Sequence, residues 1–87
     1  MMKIIIDGTM IQNKEDLYQA MDDVLHFPEY FGHNLDALYD VLTERTDRLT
    51  AEFFHYDLLT EKLGEEFCEQ LCRVLLDADA AVVRQYE

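Results

Sequence analysis

Hydrophobic positions along the chain change period several times, and each change marks an element. Met2 to Ile6 is a short apolar, β-branched run closed by Asp7-Gly8, which predicts a buried strand and a turn. From Asn13 the spacing becomes helical: Leu17, Met21, Val24 and Leu25 recur at i, i+4, i+7 and i+8, with Asn13 placed to cap and Glu15-Asp16 in the first turn. Pro28 biases Phe27 away from helical geometry, and Gly32 suits a turn few other residues accept, so a loop carrying Tyr30 and Phe31 is expected. Asn34 then caps a second helix running to Val41–Arg45. Leu49 to Tyr56 alternates as a strand does, putting Leu49, Ala51, Phe53 and His55 on one face. Asp57 to Lys62 reads as a helical turn. Beyond Gly64 the set Phe67, Leu71, Val74, Leu75 and Ala78 is helical again, and Ala80 to Val83 is a last short strand.

The predicted order is β-α-α-β-(turn)-α-β. Strands separated by helices favour parallel pairing with right-handed crossovers, so the expectation is an α/β domain: a three-stranded parallel sheet flanked by helices, with Leu17, Leu35, Leu38, Phe53, Phe67 and Leu71 buried. At 87 residues, 1–87 reads as a single domain. No repeat, linker or low-complexity segment interrupts it.

The second helix carries a feature its core does not need. At 100° per residue with Asn34 at zero, Leu35, Leu38, Val41 and Leu42 define a buried side centred near 50°. On the far side Asp36, Asp40 and Glu44 fall at about 200°, 240° and 280°, three acids each four residues apart on one ridge. Like charges at that spacing cost an isolated helix a few tenths of a kcal/mol per pair, and no Lys or Arg between Glu29 and Arg45 relieves them. A solvated polar face is one reading. The other is a patch that captures cations, because Tyr39 flanks the ridge and the Tyr30-Phe31-Gly32 loop delivers aromatic surface to its N-terminal end. Tyr30 and Phe31 read equally well as a plug over the core.

Composition narrows the partner. Nineteen Asp and Glu against seven Lys and Arg give a net charge of -12, beyond the magnitude of roughly 2–8 that serves solubility. Direct nucleic-acid binding and anionic membranes are disfavoured, since phosphate is bound by clustered Lys and Arg. A functional charge of this sign calls for a basic partner. The apolar run Ile4 to Ile6 is stopped by Asp7, so neither an export signal nor a membrane span is expected, and a cytoplasmic location is the default. Cys68 and Cys72, four apart in a helix, read as buried free thiols rather than a disulfide or a metal site.

Signals for an enzyme are weak. Glu29, His33 and Asp36 could serve acid–base chemistry, but no nucleophile motif or phosphate loop accompanies them. Asp36, Asp40 and Glu44 on a straight helix make a poor cage for a hard cation, so neither metal nor cofactor is expected. His26 and His55 read as packing or surface residues.

The run Phe27-Pro28-Glu29-Tyr30-Phe31-Gly32-His33-Asn34-Leu35-Asp36-Ala37-Leu38-Tyr39-Asp40-Val41-Leu42-Thr43 closely resembles the barstar family of ribonuclease inhibitors. The likeness extends more loosely to the Ile-rich first strand, to Asp16-Leu17 and to Glu52-Phe53. It implies a three-stranded parallel sheet with flanking helices, and a protein that protects its producing cell by laying an acidic helix and the preceding loop over the active site of a secreted-type ribonuclease. By this resemblance Asp40 stands where a carboxylate occupies the nuclease's phosphate site, and Asp36 where one pairs with a neighbouring Arg. Tyr30 would lie over the catalytic region, with Gly32 and Asn34 adding loop contacts. Tyr39 stands where the family usually has Trp, Thr43 matches a rim position, and an acid late in the last long helix corresponds, by spacing from Glu52, to Asp77. The free protein is expected to be a monomer.

Departures from the pattern are local. His33 replaces a usually acidic loop residue, and Glu44-Arg45 stand where Gly-Trp would be familiar. Glu44 extends the ridge; Arg45, towards the core side, is expected to fold back on Glu44 or Asp47. A different target remains the alternative: a barstar-like interaction module, or an immunity protein binding another basic protein or a toxin that is not a ribonuclease.

Overall fold

A computed structural model describes residues 2–29, 31–45 and 47–86. The chain runs β1 (Met2–Asp7), α1 (Lys14–Leu25), α2 (Leu35–Thr43), β2 (Leu49–Phe54), α3 (Tyr56–Leu63), α4 (Glu65–Asp77) and β3 (Ala81–Arg84). The three strands form one parallel sheet in the order β1-β2-β3. Register pairs Ile4 with Ala51 and Ile6 with Phe53, so the alternating side chains of both strands reach one face together. On that face Ile4, Ile6, Leu49, Ala51 and Phe53 are buried.

Helices complete the core. α1 packs on β1, α4 on β3, and α2 and α3 both on α4. Leu17, Met21, Leu38, Leu59, Leu71 and Leu75 have no accessible surface, and one contiguous buried cluster joins them to the sheet. Of the six residues expected inside, Leu17, Leu38, Phe53 and Leu71 are fully buried, while Leu35 and Phe67 are half-buried against the cluster's margin. Phe67 is capped there by the Lys14 ammonium, 4.4 Å from its ring centre.

Caps stop and start the helices where the sequence suggests. The Asn13 side chain accepts from the Asp16 N–H at 2.8 Å and Asn34 from the Ala37 N–H at 2.8 Å. Two boundaries and one turn residue differ from expectation. β2 ends at Phe54, because His55 turns into the left-handed region (φ 52°) and Tyr56 opens α3, keeping its ring in the core from a helix rather than from a strand. α2 ends at Thr43 rather than reaching Arg45. Gly32 does not use a left-handed backbone; the left-handed residue of that connection is His26 (φ 54°), which ends α1. Gly64 (φ 96°) does use it, serving as the last cap of α3 and the first of α4. Both cysteines are buried free thiols. Burial and the neighbouring Cys72 push the Cys68 thiol up to about 11.

Candidate partner-binding face

Leu38 and Leu42, buried at 0% and 6% exposure, fix the rotation of α2. That rotation leaves Asp36, Tyr39, Asp40, Thr43 and Glu44 all exposed, as the sequence spacing requires. The start of the helix is held by Asn34, and Asp36 sits in the first turn, where the helix dipole favours a carboxylate. At the other end Thr43 Oγ1 donates to the Asp40 carbonyl at 3.0 Å. Among the described residues two salt bridges form, Lys3 with Glu52 and Arg45 with Asp47, and neither involves the ridge. Among the described residues no ion pair therefore offsets the like-charge repulsion along α2.

The connection before α2 has a fixed shape. His26 donates to the Asp22 carbonyl, and the Phe27 N–H donates to the Asp22 carboxylate at 2.7 Å. Phe31 stacks on Phe27 with ring centres 3.9 Å apart and meets Tyr18 edge-on at 6.0 Å. His33 lies over Tyr18 at 5.5 Å. Phe31 is half-buried against the core, so it is the plug of the two readings left open above. Tyr30, the other aromatic of that pair, lies outside the described residues. The Phe31 N–H donates to the Pro28 carbonyl and the Asn34 N–H to the Gly32 carbonyl at 2.7 Å. Gly32 matters for space: a Cβ there would stand 3.0 Å from Asn34 Nδ2, the side chain that caps α2.

Two hollows flank the ridge. Between loop and helix, Pro28, Phe31, Gly32, Ala37 and Val41 form an apolar groove of about 250 Å³ with Asp40 and Glu44 on its rim. On the opposite flank, Tyr39, Thr43, Arg48, Asp77 and Asp79 line a cleft of about 680 Å³ between the ends of α2 and α4. Asp77, placed by spacing within the family resemblance, thus shares a hollow with Tyr39 and Thr43. Gly32 and Asp40 share the groove, while Asn34 serves as the cap behind it. Arg48 and Asp79 were not singled out in the sequence, and Asp47 only as a partner for Arg45. Asp79 takes a left-handed backbone (φ 64°) directly after α4; the Asp77-Ala78-Asp79 run at a helix end was its one available signal, since Asp tolerates that conformation. Arg45 folds back on Asp47 (3.9 Å), not Glu44.

Fold and face together define a small parallel α/β protein that presents an exposed acidic helix between an apolar groove and a mixed-charge cleft. Comparison with known proteins gives the same class a family. Residues 1–87 match the family described as "Barstar (barnase inhibitor)", and the chain belongs to it. It is 35% identical over 88 residues to a Bacillus subtilis (strain 168) protein named "Putative ribonuclease inhibitor YrdF", a match covering 100% of this chain and 96% of that one.

Proposed function

We propose that the chain is an intracellular inhibitor of a microbial ribonuclease, and that α2 with its preceding loop covers the enzyme's basic active site. One observation carries the reading: Asp36, Asp40 and Glu44 stand exposed and unpaired, among the described residues, on a helix whose rotation and start are both fixed. A nuclease gathers cations to hold an RNA phosphate, and a carboxylate delivered on a rigid helix meets them without reorganisation. Asp40, central on the ridge and beside the apolar groove, is the phosphate mimic. Asp36 pairs with a flanking Arg, while Tyr30, Gly32 and Asn34 contribute the loop side of the interface. Tyr39, Thr43 and Asp77 contribute the cleft side, and Glu44 extends the ridge.

The family relationship and the name of the Bacillus subtilis relative support this reading. The role that follows is self-protection of a producing cell, with the free protein held in the cytoplasm against a secreted-type enzyme. The experiment is to mix the purified protein with a panel of secreted microbial ribonucleases, scoring RNA cleavage and co-elution. Stoichiometric loss of cleavage with at least one enzyme is expected. If no ribonuclease is inhibited while another basic protein or toxin co-elutes, the alternative of an interaction or immunity module takes its place.

A further inference from the structure

The chain carries seven Lys and Arg, and most of them serve the fold. Lys3 pairs with Glu52, and the Lys62 ammonium donates to the Gly8 carbonyl at 2.8 Å. Lys14 sits over Phe67, and the Arg84 guanidinium over Tyr56 at 5.7 Å. Arg45 donates to the Leu25 carbonyl and pairs with Asp47. Arg73 stands on the exposed side of α4 with Glu69 one turn before it and Asp77 one turn after, the spacing at which opposite charges support a helix. Arg48 differs: it is exposed and forms no ion pair among the described residues.

Its position is nevertheless fixed. The Arg48 carbonyl accepts from the Met2 N–H at 2.8 Å, and the next residue, Leu49, opens β2 and is buried. Arg48 lines the cleft of about 680 Å³ with Tyr39 and Thr43 of α2 and with Asp77 and Asp79 at the end of α4. Tyr39 and Thr43 flank the acidic ridge, so a surface laid over the ridge also meets Arg48. Two kinds of charge thus share one face: the ridge is acidic throughout, whereas the cleft sets Arg48 beside Asp77 and Asp79. A partner that is basic throughout would bring its cations against Arg48, and like charges brought together in an interface cost affinity. A guanidinium keeps its charge and presents its donors in a planar fork that fits a carboxylate through two parallel bonds. We propose that Arg48 is a specificity-determining residue of this face: the bound ribonuclease seats an Asp or Glu carboxylate on the Arg48 guanidinium while its cations meet the ridge. The inference rests on the ribonuclease-inhibitor reading above and adds to it an acidic group that the target carries at the margin of its basic site.

Stopped-flow association and dissociation with a ribonuclease that the wild type inhibits test this on Arg48→Gln, Arg48→Glu and Arg48→Lys. Steering and contact pull in opposite directions here. Loss of the charge makes the face more acidic, so at low salt the on-rate of the Gln and Glu variants rises slightly whatever Arg48 touches. With a carboxylate seated on Arg48, the off-rate rises about tenfold in Arg48→Gln. It rises further in Arg48→Glu and less in Arg48→Lys, which keeps the charge but not the fork. The expected result at 0.15 M salt is therefore weaker binding by a more acidic protein. Affinity should return to Arg48→Glu when the facing Asp or Glu of the nuclease is replaced by Lys. Urea midpoints of the free variants should match the wild type, since Arg48 is exposed and without an ion pair among the described residues. An off-rate unchanged or lowered in Arg48→Glu overturns the proposal and leaves the inhibitor reading standing, whereas a wild type that inhibits no ribonuclease overturns both.

Discussion

Asp40→Ala separates folding from binding on one side chain. Asp40 is exposed, with no ion pair among the described residues, and Asp36 and Glu44 lie one turn away on either side. Removing it relieves two like-charge i, i+4 contacts at about 0.2–0.5 kcal/mol each, and Ala exceeds Asp in helix propensity by about 0.5 kcal/mol. The free protein should therefore gain about 1 kcal/mol, an upward shift in Tm of about 4–8 °C for a chain of this size. Urea unfolding at constant m measures it directly. Binding should move the other way. Stripping a carboxylate from a cluster of desolvated cations costs about 2–5 kcal/mol or more, a range that includes the barnase–barstar pair of this same family and is not worked out from this chain. The loss in affinity would then be roughly 30-fold to a few thousandfold. If Asp40→Ala instead destabilises the fold by more than about 1 kcal/mol and leaves inhibition intact, the ridge is structural and the reasoning fails.

Other consequences can be checked separately. Gly8→Ala should cost more than about 2 kcal/mol in a denaturant titration, because the added Cβ would stand 2.2 Å from the His55 carbonyl oxygen and 3.0 Å from the Leu59 nitrogen, both backbone. Stability should fall as pH rises from about 9 to about 11: the Cys68 thiol is raised in the folded state, so its contribution is whole below the ordinary thiol value of 9.0 and is lost on passing about 11. Burial raises Tyr56 in the same direction; Cys68→Ala should flatten but not abolish the slope. With the true partner the on-rate should fall steeply with salt while the off-rate changes little, since an acidic face steered to a basic cleft loses its reach as the Debye length shrinks from about 10 Å at 0.1 M; a salt-independent on-rate contradicts steering.

Local signals were legible and spatial ones were not. α1 and α2 could be read because each has an Asn cap, an acid in its first turn and an apolar stripe of helical period, and the faces follow from the stripe by geometry alone. β2 was read two residues too long, since His55 and Tyr56 continue the alternation of Leu49 to Phe54. Only the fold shows that Tyr56 reaches the core by turning into α3. Gly32 was read for backbone freedom when its use is room beside Asn34, a distinction that needs the neighbour's position. In the same way Asp7-Gly8 was visible as a turn, while the contact of Gly8 with the His55 carbonyl joins positions 47 residues apart. Asp77 rested on spacing within a resemblance; its meeting with Tyr39 depends on the packing of α2 against α4.

Arg45 sits next to the ridge yet does not neutralise it, and the reason leads to a further test. Nη1 donates to the Leu25 carbonyl at 3.2 Å, Nη2 meets the Met2 sulfur, and the pairing with Asp47 is long and peripheral. Leu25 is the last residue of α1, whose final turn holds no basic side chain. The guanidinium thus supplies, from the far end of α2, the positive charge that a helix C-terminus favours. It is drawn inward, with Nε buried and unpartnered among the described residues, and its ion pair is with Asp47, not Glu44. Arg45→Met should cost about 1–3 kcal/mol of stability, the range for losing a charged hydrogen bond to a part-buried carbonyl, because the apolar side chain replaces the stem of Arg45 but leaves the Leu25 oxygen bare. The same change takes the net charge from -12 to -13 beside the acidic face, so association with a basic partner at low salt should quicken slightly. A variant that folds as stably as the wild type, or binds more slowly, would place Arg45 in the interface itself rather than behind it.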